Sequence, residues 1–97
     1  MKIAINGFGR IGRIFFRQAF GKPNFEIVAI NDLSDTQNLA YLLKYDTVYG
    51  RYEKNIEINE NKLIVEGKEI LIFKETDPTK LPWKDLGIDI VVEATGV

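Results

Sequence analysis

An α/β architecture, a doubly wound and mostly parallel sheet with a small antiparallel excursion, is predicted by three features of the sequence. The chain opens on an apolar strand, Lys2 to Asn6, that runs straight into a glycine turn, Gly7-Phe-Gly-Arg-Ile-Gly12. A second, nearly all-apolar strand, Phe25 to Ile30, delivers Asn31 and Asp32 at its carboxyl end, with the acid 20 positions after Gly12. Uninterrupted apolar strands of this kind belong to sheets covered on both faces, the usual setting of parallel pairing. Strand, glycine turn, helix and a second strand with a terminal acid make a Rossmann-type unit.

The elements follow in order. Between the two strands, Arg10 to about Phe20 is a helix with Ile11, Ile14, Phe15, Ala19 and Phe20 on one apolar face and Arg10, Arg13 and Arg17 on the other. Gly21-Lys-Pro-Asn24 ends it, because glycine suits a helix C-terminus and Pro23 has no N–H to continue the ladder. After Asp32, Ser34 or Asp35 caps a second helix whose buried stripe is Leu39, Ala40, Leu42 and Leu43 and which ends at Tyr45-Asp46. From Thr47 the period switches from helical to alternating. Ile56 and Ile58, Leu63 and Val65, and Ile70 and Ile72 then mark an antiparallel excursion turning at Glu60-Asn61 and Glu66-Gly67. Pro78, Pro82 and Gly87 punctuate a polar connection in which Trp83 anchors a short helical turn against the sheet. Asp89 to Glu93 is a further parallel-type strand, and Ala94-Thr-Gly-Val97 is a second strand-to-turn junction that calls for a helix beyond it. The expectation is therefore a truncated domain.

The glycine turn carries chemistry. Gly7 permits the tight turn off the strand, Gly9 removes a Cβ that would block a pyrophosphate, and Gly12 lets the helix lie close to the sheet. The backbone N–H groups of the first helical turn, Arg10's among them, and the partial positive charge of the helix end then bind phosphate without a lysine. The Arg10 side chain itself reads equally as a solvated or interface charge. Asp32 is placed to accept hydrogen bonds from the adenosine ribose and to repel a 2′-phosphate, so the expected cofactor is NAD rather than NADP. Without the glycines, an Asp after a strand reads as a helix cap or turn former. Asn6 and Asn31 are expected to hydrogen-bond local backbone at the strand ends while shaping the cofactor crevice. Thr95 and Gly96 stand where that crevice lies, although Gly96 also suits a plain turn. Tyr41, Tyr45, Tyr49 and Tyr52 read as packing or interface residues.

Composition narrows the function further. A chain of 97 residues is one domain or part of one, and a mononucleotide-binding half nearly exhausts that length. At 45% hydrophobic and 28% charged it suits a soluble globular protein. Its 13 basic and 14 acidic residues, interspersed to a net charge of -1, give no electrostatic basis for nucleic-acid or membrane-surface binding. No apolar run reaches membrane-spanning length and no secretory signal opens the chain, so a cytoplasmic location is the default. Cys and His are both absent. The two commonest residues of nucleophilic and acid–base catalysis near neutral pH are therefore missing, and no catalytic or metal-ligating residue is assigned.

Ile5-Asn-Gly-Phe-Gly-Arg-Ile-Gly-Arg13 resembles the amino-terminal signature of glyceraldehyde-3-phosphate dehydrogenases. The resemblance spans all 97 residues, through Asn31-Asp-Leu, Leu42-Leu-Lys-Tyr-Asp46, Gly50-Arg51, Asp77-Pro78, Trp83 and Glu93-Ala-Thr-Gly-Val97 in that family's order and spacing. It implies the first part of the NAD-binding domain of a phosphorylating, homotetrameric glycolytic enzyme that oxidises an aldehyde phosphate, its catalytic domain lying outside this chain. By the same resemblance the backbone at Arg10 and Ile11 holds the pyrophosphate and Asp32 the adenosine ribose. The segment at Thr76 borders the adenine, and Thr95 and Gly96 lie near the dinucleotide. Many members carry Arg or Lys before the Asp-Pro; here Thr76 stands instead, which leaves a backbone contact as the expectation at that point. The same portion of an erythrose-4-phosphate dehydrogenase, and a non-catalytic nucleotide-binding or assembly module, are the alternative readings.

Overall fold

The structure, a computed structural model, describes residues 1–45 and 54–95. Six strands form one sheet in the order β3-β4-β5-β2-β1-β6. They are β1 (Lys2–Asn6), β2 (Glu26–Asn31), β3 (Ile56–Asn59), β4 (Lys62–Val65), β5 (Lys68–Phe73) and β6 (Ile90–Glu93). Helix α1 (Arg10–Ala19) joins β1 to β2, and α2 (Thr36–Tyr45) follows β2. The four strands β5, β2, β1 and β6 are mutually parallel, and β3 and β4 add antiparallel pairs outside β5. The Rossmann-type reading holds, with one refinement: the antiparallel excursion is no separate unit, because its last strand enters the parallel set beside β2. β5 therefore carries its carboxyl end, and the loop after it, to the same edge as the others.

The hairpin chemistry is as expected. Val65 pairs with Lys68 across Glu66-Gly67, whose φ values of 50° and 80° suit a tight two-residue turn matched to strand twist. Asn59 pairs with Lys62 across Glu60-Asn61, where Glu60 takes φ 56°. Leu63, Val65, Ile70 and Ile72 point into the core, but Ile58 is 42% exposed because it lies on the outermost strand.

One apolar cluster joins Ile5, Ile27 and Ile30 of the central strands to Phe8, to Phe16 and Ala19 of α1, and to Leu39, Ala40 and Leu43 of α2. The predicted face of α1 needs correction. Phe16 is fully buried, stacking on Phe20 and edge-on to Phe8 with ring centroids 5.2 and 5.8 Å apart, whereas Ile11 is 63% exposed. The buried side is centred on Gly12, Phe16 and Ala19, so it is rotated from the one drawn through Ile11 and Phe15. Arg13 and Arg17 are not plain solvent-facing charges either. Arg13 donates to the Phe8 carbonyl, and Arg17 donates to the Leu43 carbonyl at the end of α2. Phe20 caps α1, and Gly21 at φ 86° turns the chain out of it. Asp35, one of the two expected caps, accepts from the Asn38 amide at 2.7 Å and starts α2. The expected end of α2 at Tyr45 is seen; Asp46, Tyr49, Gly50, Arg51 and Tyr52 lie outside the described residues.

On the other face of β5, Trp83 packs edge-on to Phe73 at 5.6 Å. The short helical turn, however, falls at Pro78–Lys80, ahead of Trp83, and Trp83 sits in a hydrogen-bonded turn closed by Ile88 N–H donating to its carbonyl at 3.0 Å. Among the described residues no helix is long and apolar enough to cross a membrane.

Candidate functional site

The parallel strands end together, and their last residues are in register: Asn6 pairs with Asn31 on one side and with Glu93 on the other. The ladder continues one step beyond the strands, with Gly7 N–H donating to the Asn31 carbonyl, Ala94 N–H to Asn6, and Asp32 N–H to Phe73, all at 2.8–2.9 Å. The two asparagines do more than bond local backbone, which corrects the expectation for them. Asn6 Nδ2 donates to Glu93 Oε2 at 2.9 Å, and Asn31 Nδ2 donates to Asn6 Oδ1 at 2.9 Å and to the Glu75 carbonyl at 3.0 Å. Glu75 N–H in turn donates to Asn31 Oδ1 at 2.9 Å. A polar chain thus crosses β6, β1 and β2 and reaches the loop after β5. Asn31, 6% exposed, is its buried centre, and with these bonds its amide meets the requirement that buried polar groups be paired.

The three glycines divide the labour as the turn requires. Gly7 has φ +93°, and a Cβ there would stand 2.7 Å from the Cα and N of Thr95, so the turn needs glycine for both conformation and close passage of β6. A Cβ on Gly12 would collide with the Gly7 carbonyl and come within 3.3 Å of Ile5 Cγ2, which is why α1 lies so near β1. At Gly9 no atom of the described residues lies within 4 Å of the Cβ position, so none of them requires the missing side chain there. Open space on the crevice side is what a pyrophosphate would use.

Helix α1 begins at that open space. Its first intrahelical bond runs from Arg13 N–H to the Gly9 carbonyl at 2.9 Å, so the amides of Arg10, Ile11 and Gly12 precede the ladder. The N-cap, Gly9, has no side chain to cap them, and the first turn holds no acidic residue. This helix end presents N–H groups and partial positive charge.

A crevice of about 430 Å³ opens over these strand ends. Of the residues singled out in the sequence, Asn6, Gly7, Gly9, Asn31, Asp32, Thr76 and Thr95 line it. Arg10, Ile11 and Gly12 do not: the first two are exposed at the helix start and Gly12 is buried beneath it. Gly96 lies outside the described residues. Leu33, Glu75 and Ala94 also line the crevice and were not singled out. Each adjoins a singled-out residue, Leu33 beside Asp32, Ala94 beside Thr95 and Glu75 beside Thr76, so adjacency alone was a signal; the bonds between the Glu75 backbone and the Asn31 side chain are what composition and spacing do not reveal. A hollow of about 600 Å³ at the opposite, amino-terminal edge of the sheet, between Phe20, Pro23 and Lys68, contains none of the singled-out residues.

Asp32 is engaged from within the protein. Its Oδ2 accepts from Phe8 N–H at 2.7 Å and its Oδ1 from Ser34 N–H at 2.9 Å. Each carboxylate oxygen has a second acceptor site, so these bonds leave capacity for hydroxyl donors. The loop beyond Thr76 is shaped by short-range bonds: Asp77 N–H donates to Glu75 Oε1 at 3.1 Å, and Asp77 Oδ1 accepts from both the hydroxyl and the amide of Thr79. Those donors, the hydroxyl first, hold the Asp77 carboxyl below its ordinary value of 3.8. Tyr41 and Tyr45 lie away from this edge on α2, both exposed, with ring centroids 5.1 Å apart.

The arrangement can bind an anion at the start of α1 and hydrogen-bond a diol at Asp32, and it has an apolar wall in Leu33 and Ala94. Among the described residues no cluster of three or more His, Cys, Asp or Glu side chains is placed to hold a metal ion. Comparison with known proteins agrees with this chemistry. The family model described as the NAD-binding domain of glyceraldehyde 3-phosphate dehydrogenase matches residues 1–97. The chain is 58% identical over 98 residues to the glyceraldehyde-3-phosphate dehydrogenase of Thermotoga maritima, covering 99% of this chain and 29% of that protein. It is 57% identical over 95 residues to the enzyme of the same name from Clostridium acetobutylicum, covering 98% and 28%. With that from Geobacillus stearothermophilus the identity is 54% over 96 residues, covering 99% and 29%. The chain therefore spans less than a third of the length of these relatives.

Proposed function

The chain belongs to the glyceraldehyde-3-phosphate dehydrogenase family as its NAD-binding domain, and from that premise we propose that it is the cofactor-binding portion of a phosphorylating dehydrogenase. The observation that carries the reading is the crevice at the carboxyl ends of the parallel strands, where Gly9 leaves open space before the uncapped start of α1. The residues present fit the dinucleotide. The amides of Arg10 and Ile11 hold the pyrophosphate, Asp32 accepts from the adenosine ribose hydroxyls, the segment at Thr76 borders the adenine, and Thr95 lies near the dinucleotide. NAD is favoured over NADP because the described crevice lining contains no Lys or Arg to receive a 2′-phosphate, while Asp32 repels one.

NAD supplies the hydride acceptor when bound. The residues of this chain bind and orient it, and their part in the reaction ends there. With neither Cys nor His, these 97 residues offer no thiolate nucleophile and no imidazole base, so this stretch by itself turns over no substrate. The intact protein is proposed to oxidise glyceraldehyde 3-phosphate to an acyl phosphate as a cytoplasmic homotetramer. The test is an assay of the intact protein for NADH formation. Turnover that requires both glyceraldehyde 3-phosphate and inorganic phosphate supports the reading. A clear preference for erythrose 4-phosphate, or no turnover with either aldehyde, overturns it.

A further inference from the structure

Phe8, between the first two glycines of the turn, is held on every side. Its ring is 1% exposed and packs edge-on against Phe16. Its carbonyl accepts from Arg13 Nη1 at 3.0 Å, and its N–H donates to Asp32 Oδ2 at 2.7 Å. The preceding amide, that of Gly7, is spent on the Asn31 carbonyl at 2.8 Å. Two consecutive amides of the turn are therefore bound to the carboxyl end of β2; past Gly9, the amides of Arg10, Ile11 and Gly12 are those that precede the helical ladder.

We propose that Asp32 has a second task in addition to any contact with ribose: it is a positioning residue for the phosphate-binding turn, holding the Phe8 peptide so that the amides at the start of α1 face the crevice before ligand arrives. The Asp32–Phe8 bond joins residues 24 apart in sequence and is part-buried, so it fixes the turn against a different strand rather than within its own segment. A carboxylate accepting from a backbone N–H is among the stronger hydrogen bonds of a protein. Arg13 restrains the following peptide unit, donating to the Phe8 carbonyl. The consequence is that removing the carboxylate loosens the phosphate site even for a ligand that never touches Asp32. Substitutions aimed at the ribose contact alone would then carry a cost at the pyrophosphate.

The inference rests on the proposed reading of the crevice as a dinucleotide site, and the experiment separates the two. Intact protein, wild type and Asp32→Ala, is titrated calorimetrically with ADP and with 2′,3′-dideoxy-ADP, which lacks both ribose hydroxyls. Hydrogen exchange at the Phe8 amide is followed in the same samples without ligand. The expected result is that Asp32→Ala weakens the dideoxy ligand by about fivefold to tenfold, weakens ADP by more, and speeds exchange at Phe8. If Asp32→Ala fails to fold, Asp32→Asn is used; its single amide oxygen can serve only one of the Phe8 and Ser34 amides, so weakening of the dideoxy ligand is again expected. Equal binding of the dideoxy ligand by wild type and variant, with ADP weakened, overturns the positioning role and leaves the ribose contact standing. Unchanged binding of both ligands overturns both.

Discussion

Replacing Asn31 by alanine removes three hydrogen bonds at the centre of the strand-end network. Two of them are donated by Nδ2, to Asn6 Oδ1 and to the Glu75 carbonyl, and one is accepted by Oδ1 from Glu75 N–H. Each such bond contributes a net of about 0.5–1.5 kcal/mol, and a partner left buried without water costs more. Asn6 and Glu75 are only half-buried and can recover some of the loss from solvent. The expected destabilisation is therefore about 2–4 kcal/mol, a large share of the roughly 5–15 kcal/mol that holds a typical domain together. Because Asn31 Oδ1 is the bond of the Glu75 amide, the loss is legible at one atom. Native-state hydrogen exchange on the intact protein is expected to show the Glu75 amide losing its protection in Asn31→Ala. The Asp32 amide, bonded to the Phe73 carbonyl in the β2–β5 ladder, keeps most of its own. Asn31→Asp retains the acceptor and is expected to restore protection at Glu75 while still losing both donated bonds. Wild-type protection at Glu75 in Asn31→Ala, or a stability change under about 0.5 kcal/mol, would show that the Asn31 side chain does not hold the strand ends together.

Three further outcomes follow from the same geometry. Gly7→Ala forces a side chain into φ +93° and onto the Thr95 backbone at 2.7 Å, so thermal unfolding should show a loss of about 2–4 kcal/mol; a melting temperature equal to wild type contradicts the packing described. The Asp77 carboxyl is held below 3.8 by Thr79, so its stabilisation is complete above that value and is lost as pH falls through the lowered folded value. Thr79→Val removes the hydroxyl, and carboxyl titration by NMR should find Asp77 moved up towards 3.8; no movement would show that the hydroxyl is not the cause. Competition titration of the intact protein should place NADP at least about tenfold weaker than NAD, since a 2′-phosphate meets Asp32 and no cation in the described lining; equal affinities would remove Asp32 from the selectivity.

The parallel core was legible because its signals are local. Apolar strands, turn glycines and an acid at a set distance each state their requirement within a few residues, and β1, α1, β2 and the two-residue hairpin turns fall where those signals put them. The misread parts depend on tertiary placement. Ile11 and Phe16 are both apolar and both fit a helical stripe; which is buried is decided by how closely Gly12 lets α1 approach β1, and that closeness puts Phe16 against Phe8. Ile58 alternates correctly yet stays exposed because β3 is the sheet's outer strand. At the site, glycines and Asp32 were visible as a motif, whereas the links from Asn31 to Glu75 and from Asp32 to Phe8 join residues 44 and 24 apart. Amide side chains at strand ends give no sequence sign of which distant partner they meet.

The open space before α1 is the proposed seat of the dinucleotide's pyrophosphate, and Gly9→Val puts a side chain there. The position has extended backbone, φ -75° and ψ -159°, and no atom of the described residues within 4 Å of the added Cβ, so the variant is expected to fold and melt like wild type. Calorimetric titration of the intact protein with NAD should then show affinity reduced by about a hundredfold or more, a loss near 2.7 kcal/mol. A Gly9→Val protein that melts as wild type and binds NAD with wild-type affinity would show that the pyrophosphate lies elsewhere.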